Sequence, residues 1–212
     1  VKQLELEQSE IHPELARALG DFGVSAVRHL VQAIPTSSRP ERMVTALARL
    51  EVMEKSEFRW NGLLPELIQY DYRQRAAWSS RERSLRVDAA AGTIASVDRD
   101  KAYTLRFEPG VSDRNAVALA IAAALAADAT ELRFRVADKE SVEWQTYRRA
   151  GTETMVTPAG SFETIRVERV RENPGRTTTS WFAPSHGYVP VRILHREADG
   201  ETFDLRLVRL QH

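Results

Sequence analysis

The sequence predicts an α+β protein, mainly antiparallel β, in which a strongly curved sheet or open barrel-like roll encloses one alanine-rich helix. From Ser56 onward, apolar and polar residues alternate with the period of a strand, and short turn segments divide the run. The stretch "AVALAIAAALAA", 116–127, is instead apolar on nearly all sides of a helix. Such a helix has to be enclosed by protein, so we expect the strands to surround it.

The N-terminal part of the chain has a different pattern, which predicts helices. Between Pro13 and Ile34 apolar residues recur every three or four positions, and a second short helix is expected from about Glu41 to Met53. The Pro- and Ser-containing run 35–41 reads as a linker between them. We therefore predict a helical segment or appendage at 1–40 and a curved antiparallel β domain at 41–212.

Strand patterns fill most of the β domain. Ile68, Tyr70 and Tyr72 share one face of a strand, and "AAGT" at 90–93 supplies a turn before the strand that carries Tyr103 and Leu105. The central helix is expected at about 113–127, because Ser112 and Asp113 are favourable capping residues.

Hairpins are predicted for the rest of the domain. Strands through Leu132 to Val136 and through Val142 and Trp144 are joined by a turn at Asp138 and Lys139. "TPAG" at 157–160 and "ADGE" at 198–201 supply the turns of two later hairpins. In "WFAPSHGYVPVRI", 181–193, we expect Trp181 in the core and a turn before the next strand.

Several of these motifs occur in one order. "TPAGSFETIRVERV" at 157–170 is followed by "SWFAPSHGYVPVRILHREADGETFDLRLVRL" at 180–210, and "EKSEFRWNGLLPELIQYDYR" at 54–73 and "SDRNAVALAIAAAL" at 112–125 precede them. Together they resemble the bacterial family known as domain of unknown function 3108, over roughly 54–210. The helical pattern before Met53 departs from that family, which begins with strands.

The resemblance implies an exported protein of the Gram-negative envelope, with a curved antiparallel sheet around one helix. The family has no established activity, so the resemblance supplies no catalytic residue and no cofactor. The chain starts at Val1 without the charged and apolar pattern of a signal peptide, which we interpret as a periplasmic protein whose signal peptide has been removed. The longest apolar run is shorter than the roughly 20 residues of a membrane-spanning helix, so we expect no transmembrane segment.

Composition and charge argue against several classes of function. Thirty basic residues balance thirty acidic ones, which gives no net field for nucleic acid, although two arginine-rich segments, 72–86 and 146–151, leave a local patch open. There is no cysteine, so thiol catalysis and thiolate metal sites are excluded. The five histidines lack the spacing that aims two imidazoles at one metal ion, and we predict no metal site.

The catalytic hypotheses rest on few residues. Ser185 and His186 are adjacent, but neighbouring side chains of an extended segment point to opposite sides and no nucleophile-elbow pattern surrounds the serine. Asp71 lies between two tyrosines with Glu57 upstream, a pattern found in sugar-binding clefts and also on ordinary solvated strands.

The leading hypothesis is a non-catalytic envelope protein that binds an apolar or amphiphilic molecule between the sheet and the helix, or serves as a scaffold. Two alternatives stay open: an envelope hydrolase acting on glycan or peptide through Asp71, Glu57 or His186, and a protein-docking module. The docking module would use the N-terminal apolar stripe of Leu15, Leu19, Phe22 and Leu30. The predicted ligand-binding residues are Trp60, Tyr70, Tyr72, Val117, Ile121, Leu125, Trp181 and Tyr188.

Overall fold

The computed structural model describes residues 25–29, 51–76, 79–172, 175–200 and 202–210. These residues form a mainly antiparallel, strongly curled half-barrel architecture with one α-helix. The strands belong to two sheets, and the helix contacts strands of both.

The first sheet is an antiparallel meander of six strands that pair in sequence order. Its strands are β1 (Ser25–His29), β2 (Glu51–Asn61), β3 (Leu64–Ala76), β4 (Ser79–Asp88), β5 (Thr93–Asp98) and β6 (Lys101–Arg106). Tyr70, Leu85 and Ile94 are buried and point into the core, as the period-two pattern predicts. Ile68, expected on the same face as Tyr70, is 38% exposed and Leu67 is buried instead, because a β-bulge opposite Glu57 and Phe58 shifts the register.

The second sheet has seven strands, and all its pairs are antiparallel except the short parallel pair β7–β8. Its strands are β7 (Ser112–Asp113), β8 (Leu132–Asp138), β9 (Ser141–Thr157), β10 (Gly160–Val170), β11 (Thr177–Ala183), β12 (Val189–Arg196) and β13 (Thr202–Arg206). The turns predicted at 157–160 and 198–201 connect β9 to β10 and β12 to β13, so both predictions are confirmed.

The predicted helix at Pro13–Ile34 is wrong where the structure describes it. Residues Ser25–His29 form strand β1, which pairs antiparallel with β2 from Ser25 opposite Glu57 to His29 opposite Met53. The second predicted helix is wrong at 51–53, which open β2. Sheet pairing satisfies every second backbone group of a strand, and this tertiary gain overrides a local helical periodicity. The rest of both predicted helices, with Leu15, Leu19, Phe22 and Leu30, lies outside the described residues.

The central helix, α1, spans Val117–Ala126, so it begins four residues later than expected. Ser112 and Asp113 form β7 instead, and a turn at 114–116 leads into the helix. Asp113 is not the helix N-cap, which is Ala116 without a side-chain hydrogen bond. Its Oδ1 instead caps the preceding turn by accepting hydrogen bonds from the backbone N–H groups of Asn115 and Ala116, both at 2.8 Å. Val117 to Leu125 are all buried, as expected for a helix that is apolar all round.

The two sheets meet along β3 and β7. The Leu67 N–H donates to the Val111 carbonyl at 2.8 Å, and Ser112 Oγ donates to the Pro65 carbonyl at 2.6 Å. One core cluster joins Leu85 and Ile94 of the first sheet to Ala137 of the second, so the sheets share a core.

Candidate functional site

The structure distributes the eight predicted ligand-binding residues over several core clusters. Val117, Ile121, Leu125 and Tyr188 belong to or pack against the cluster around α1. Tyr70 and Tyr72 belong to the cluster at the junction of the sheets, and Trp181 belongs to a third cluster without any helix residue. Trp60 packs against Phe58, with ring centroids 5.4 Å apart, and beside Ala123 of the helix. The helix face and Tyr188 come together in one cluster and Tyr70 with Tyr72 in another, so the eight residues do not form a single site.

The helix face predicted to line a ligand cavity is packed against protein. Ile121 and Leu125 are each 2% exposed, and their cluster includes Phe134 and Tyr147 of the second sheet and Phe182 of β11. Side chains therefore occupy the space between helix and sheet, in the manner of an ordinary protein interior.

Tyr70 and Tyr72 lie beside a row of charged groups. The Tyr70 hydroxyl donates to Glu54 Oε1 at 3.2 Å, and Arg114 Nε lies 3.4 Å from the same oxygen. Arg114 and Arg83 also approach the Tyr72 ring, with guanidinium carbons 5.6 and 5.8 Å from its centroid. Burial and the negative charge of Glu54 raise the pKa of Tyr70 well above its usual value, so this hydroxyl is a hydrogen-bond donor rather than a base.

Asp113 is the most buried carboxylate near this row. Besides the two capping bonds, its Oδ1 accepts a hydrogen bond from Ser56 Oγ at 2.8 Å, while its Oδ2 has no hydrogen-bond partner. Burial raises the pKa of Asp113 to about 6, although these hydrogen bonds act in the opposite direction. The carboxyl thus links β2 to the start of α1 and titrates nearer neutrality than a surface aspartate.

Arg83 carries a buried positive charge across the junction of the sheets. Its side chain is 1% exposed; its Nε donates to Asp98 at 3.2 Å, and its Nη1 donates to Asp138 of the second sheet. Burial raises the pKa of Asp98, but hydrogen bonds and charge from Arg81 and Arg83 outweigh it, and that pKa is lowered. Paired in this way, Arg83 is a structural residue.

The segment "WFAPSHGYVPVRI" forms a strand, a turn and a strand. Trp181 is buried and its indole Nε1 donates to Glu153 at 2.8 Å, while Pro184–His186 form a 3₁₀ turn before β12. These positions confirm the structural interpretation of the motif. The expectation that the Ser185 and His186 side chains point to opposite sides is wrong, because the turn brings Ser185 Oγ to 2.9 Å from His186 Nδ1.

The residues of the hydrolase hypothesis lie on different sheets. Asp71 is on the outer face of β3, where it binds Arg86 at 2.7 Å and accepts from Gln69 at 2.9 Å. Glu57 lies on β2 opposite Gln69, whereas His186 packs its ring against Phe162 of the second sheet. Two carboxylates at a set separation, or a base beside an oriented acid, are what hydrolysis needs, and these three residues do not supply them together.

An open groove of about 440 Å³ lies on the outer face of the first sheet, across β2 to β5. Its apolar surface comes from Met53 and Val97, which are 48% and 41% exposed. Asp71 and Glu82 in the groove are ion-paired with Arg86 and Arg73. Lys55 and Arg99 also line it, and neither forms an ion pair with any described residue.

A second polar site lies at one end of the inner face of the second sheet. Arg169 is opposite the buried Tyr147, and Arg171 follows two residues later and donates to Thr178 at 3.1 Å. The Nε atoms of both arginines are shielded from solvent and have no acceptor. A buried donor without an acceptor costs about 1–3 kcal/mol, and more when it is charged, so the pair calls for a physical explanation.

Neither Arg169 nor Arg171 was among the sequence-based candidates. The alternation Val167, Arg169, Arg171 places both on the face of the buried valine, and an arginine pair continuing an apolar face is the signal that could have found them. A β-bulge between Ile165 and Val167 sets that face, which a simple period-two count does not show.

Other arginines are paired with carboxylates. Arg148 binds Glu168 at 2.7 Å, Arg149 binds Asp128 at 2.8 Å, and Arg73 and Arg81 bind Glu82 and Asp98 at 2.9 Å. In the described ranges, no three His, Cys, Asp or Glu residues are grouped so that they could hold a metal ion. No helix within those ranges has the length and apolar character needed to cross a bilayer.

Comparisons with known proteins place the chain in a family. No curated protein matches it. The solved β-barrel-like protein of domain of unknown function DUF1849 from Brucella abortus is similar at 6% identity and a TM-score of 0.49, covering 74% of this chain and 72% of that one. The family model described as "Protein of unknown function (DUF3108)" matches residues 31–207. The match extends over most of the sequence, as the ordered motifs indicated, and the chain belongs to the DUF3108 family.

Proposed function

We propose that this protein is a non-catalytic scaffold of the Gram-negative envelope that binds an acidic segment of another envelope protein in the outer-face groove. The observation that carries the proposal is the groove itself, where Lys55 and Arg99 lie beside the exposed Met53 and Val97 without carboxylate partners in the described part of the chain. Unpaired cations next to apolar surface suit a partner segment with acidic and apolar side chains.

The positions of the acid and base candidates support a non-catalytic role. Asp71 is neutralised by Arg86, and His186 belongs to the other sheet, so the hydrolase alternative lacks a cleft where two such groups converge. Although its pKa is raised, the Asp113 carboxyl is completely buried, so it cannot contact a substrate as an acid or base.

The packing of α1 supports a scaffold rather than a carrier. A carrier of apolar or amphiphilic molecules needs a cavity along Val117, Ile121 and Leu125, and those side chains are already covered by the second sheet. Native mass spectrometry of the protein purified from a bacterial periplasm without detergent tests this point. We expect the bare mass, and a discrete co-purifying lipid-like mass would favour the carrier.

The envelope location is part of the proposal and rests on the resemblance of the ordered motifs to an exported family. Fractionation of the host cells with an antibody against the protein tests it. We expect the protein in the periplasmic fraction with a processed N-terminus, and recovery from the cytoplasm alone would contradict the location.

The groove is tested by site-specific photo-cross-linking in cells. A photoreactive amino acid at Val97 should give one discrete adduct, whereas the same residue at Val156, exposed on the other sheet, should not. Because the partner segment is proposed to be acidic, Lys55→Glu with Arg99→Glu should abolish the adduct at Val97. Equal adducts at both positions, or an adduct that survives the charge reversal, would contradict the proposal.

A further inference from the structure

We propose that the inner face of the second sheet binds a phosphate group between Arg169 and Arg171, either free phosphate or the phosphate of an amphiphile. This site is separate from the groove of the scaffold proposal, which lies on the outer face of the other sheet. The two proposals rest on different residues, and a lipid-like mass that is lost in Arg171→Gln would belong to this site rather than to a cavity along α1.

The first support is the unmet hydrogen-bonding capacity of the two arginines. Among the residues that the structure describes, Arg169 forms no hydrogen bond or ion pair, and the acceptor of Arg171 is Thr178. Both residues are half-buried, and in each the Nε atom is shielded from solvent. Since almost all buried donors in proteins find an acceptor, these donors point to one that arrives with a ligand.

The second support is the surplus of positive charge. Arg169 and Arg176 lie close enough to Arg171 to repel its charge, and burial together with these two charges lowers the pKa of Arg171. Glu197 is the carboxylate in this group, and it is bound by Arg176 at 2.7 Å. Three guanidinium groups against one carboxylate leave a surplus of two positive charges, which matches a phosphate dianion better than a single carboxylate.

The donors around the site suit phosphate chemically. A guanidinium presents paired N–H groups in a planar fork that fits two oxygens of a phosphate. Thr178 Oγ1 lies 3.0 Å from His195 Nδ1, so a hydroxyl and an imidazole adjoin Arg171 on the same face. The Tyr147 hydroxyl donates to Gln145 Oε1 at 2.7 Å, and Tyr147 lies opposite Arg169 on the neighbouring strand.

The site is continuous with the core around the helix. Tyr147 and Val167 belong to the cluster that contains Ile121 and Leu125, and Arg169 extends the same face outward. Because side chains already fill that cluster, an amphiphile would place its phosphate at the arginines and keep its apolar part outside the helix core. Free phosphate would use the arginines alone, and the experiment separates the two sources.

The test measures the affinity of the purified protein for inorganic phosphate and for dihexanoyl phosphatidic acid below its micelle concentration. Isothermal titration calorimetry is performed in a chloride buffer at constant ionic strength, with melting temperature as a second readout. Arg169→Gln and Arg171→Gln remove one guanidinium each. Arg196→Gln is the matched control. Arg196 is exposed at the same end of the sheet, and because it follows the inward-facing His195 its side chain lies on the opposite face from the site.

We expect saturable binding by the unmodified protein, weakened at least about tenfold in Arg169→Gln and Arg171→Gln, the loss typical of one charge-assisted pair. Arg196→Gln should bind as the unmodified protein does. Without ligand, Arg169→Gln should melt no earlier than the parent, because it relieves repulsion among like charges, and this control separates lost binding from lost folding.

Tighter binding of phosphatidic acid than of phosphate would identify an amphiphile as the ligand, and equal affinities would identify free phosphate. Absence of saturable binding to both probes would overturn the proposal. An equal loss in Arg196→Gln would overturn it too, since the effect would then be one of general charge. Early melting of ligand-free Arg169→Gln would show that the arginine has a structural role instead.

Discussion

At the scale of residues, the buried polar side chains are held by specific partners. Glu66 is 1% exposed and accepts hydrogen bonds from Arg59 at 2.7 Å, Asn61 at 3.0 Å and the Gly110 N–H at 2.7 Å. Burial raises the Glu66 pKa, but these hydrogen bonds and the charge of Arg59 outweigh it and the pKa is lowered. Asp113 has the opposite balance, because one of its oxygens has no donor.

Asp113 should make the protein more stable in mild acid. Its pKa is about 6 in the folded state and near 3.9 in an unfolded chain, so the folded state holds the proton more tightly between those values. The stability gained by protonation is fully present below about pH 3.9 and is lost as the pH rises through 6. Asp113→Asn should therefore remove about 2–3 kcal/mol of the pH dependence of the unfolding free energy, measured by urea denaturation between pH 4 and 7.

The groups that face Asp113 are Glu54 and Ser56 from β2, Tyr70 from β3, and Arg114 and Asn115 beside it in the chain. Asp100→Asn, on the exposed turn between β5 and β6, is the control and should keep the parental profile. A profile of Asp113→Asn that equals the parental one would show that this carboxyl does not set the pH dependence.

A side chain at Gly110 should lower the stability of the fold. Its φ is +81°, and a Cβ there would lie 3.0 Å from Leu64 Cδ1. We expect Gly110→Ala to lower the unfolding free energy by about 2–3 kcal/mol, since the left-handed conformation alone costs about 1–2 kcal/mol. Gly62→Ala is the matched control, with φ +60° and nothing within 4 Å, and should cost about 1 kcal/mol. Equal losses would show that the contact with Leu64 is unimportant.

At the scale of elements, strand periodicity was a reliable guide where tertiary contacts agreed with it. The alternation of Tyr70 and Tyr72, the turn at 157–160 and the Asp-Gly hairpin have the predicted structure, because the same residues that favour a strand or turn locally also bury the correct face. The alternation is wrong at Ile68, where a β-bulge exposes the side chain. The helical periodicity was wrong at 25–29 and 51–53, where pairing of β1 with β2 overrides it. Local pattern cannot show which edge a segment will meet.

Helix α1 gives a direct test of the packed core. Ile121→Ala removes a side chain that is 2% exposed and leaves a cavity, so we expect a loss of about 2–5 kcal/mol in the free energy of unfolding. Val156→Ala, at a position 68% exposed on β9, is the control and should change stability by less than about 0.5 kcal/mol. A loss below about 1 kcal/mol for Ile121→Ala would indicate loose packing and would revive the carrier hypothesis.

At the scale of the whole molecule, the two sheets should unfold together. They share a core cluster, and Arg83 of the first sheet binds Asp138 of the second. We expect one urea transition, with the same midpoint by far-UV circular dichroism and by tryptophan fluorescence. Arg83→Met should lower the unfolding free energy by about 1.5–3 kcal/mol, the contribution of hydrogen bonds to charged groups, because Asp98 keeps Arg81 and Asp138 is partly exposed. Two separate transitions in the parent protein would contradict this account of the junction.

The candidate sites were largely beyond what the sequence could predict. The groove combines residues of four neighbouring strands. That Lys55 and Arg99 lack carboxylate partners in the described part of the chain is seen only once Arg73 and Arg86 are known to be paired. The arginine pair depends on a β-bulge and on the position of Tyr147 across the strands. Of the eight predicted ligand-binding residues, the structure gathers the helix face with Tyr188 and, separately, Tyr70 with Tyr72, because residues on one strand face can belong to different cores.

The sequence by itself determined the mainly antiparallel class, most turns, the buried helix and the family, because these depend on local periodicity, turn chemistry and the order of motifs. Tertiary structure alone decided that residues 25–29 join a sheet, that Ser112 and Asp113 form a strand before the helix, and that Asp113 shares a proton-sensitive site with β2. It also decided which arginines have acceptors. These features arise from contacts between residues up to 59 positions apart, such as Ser56 and Asn115, which no local pattern encodes.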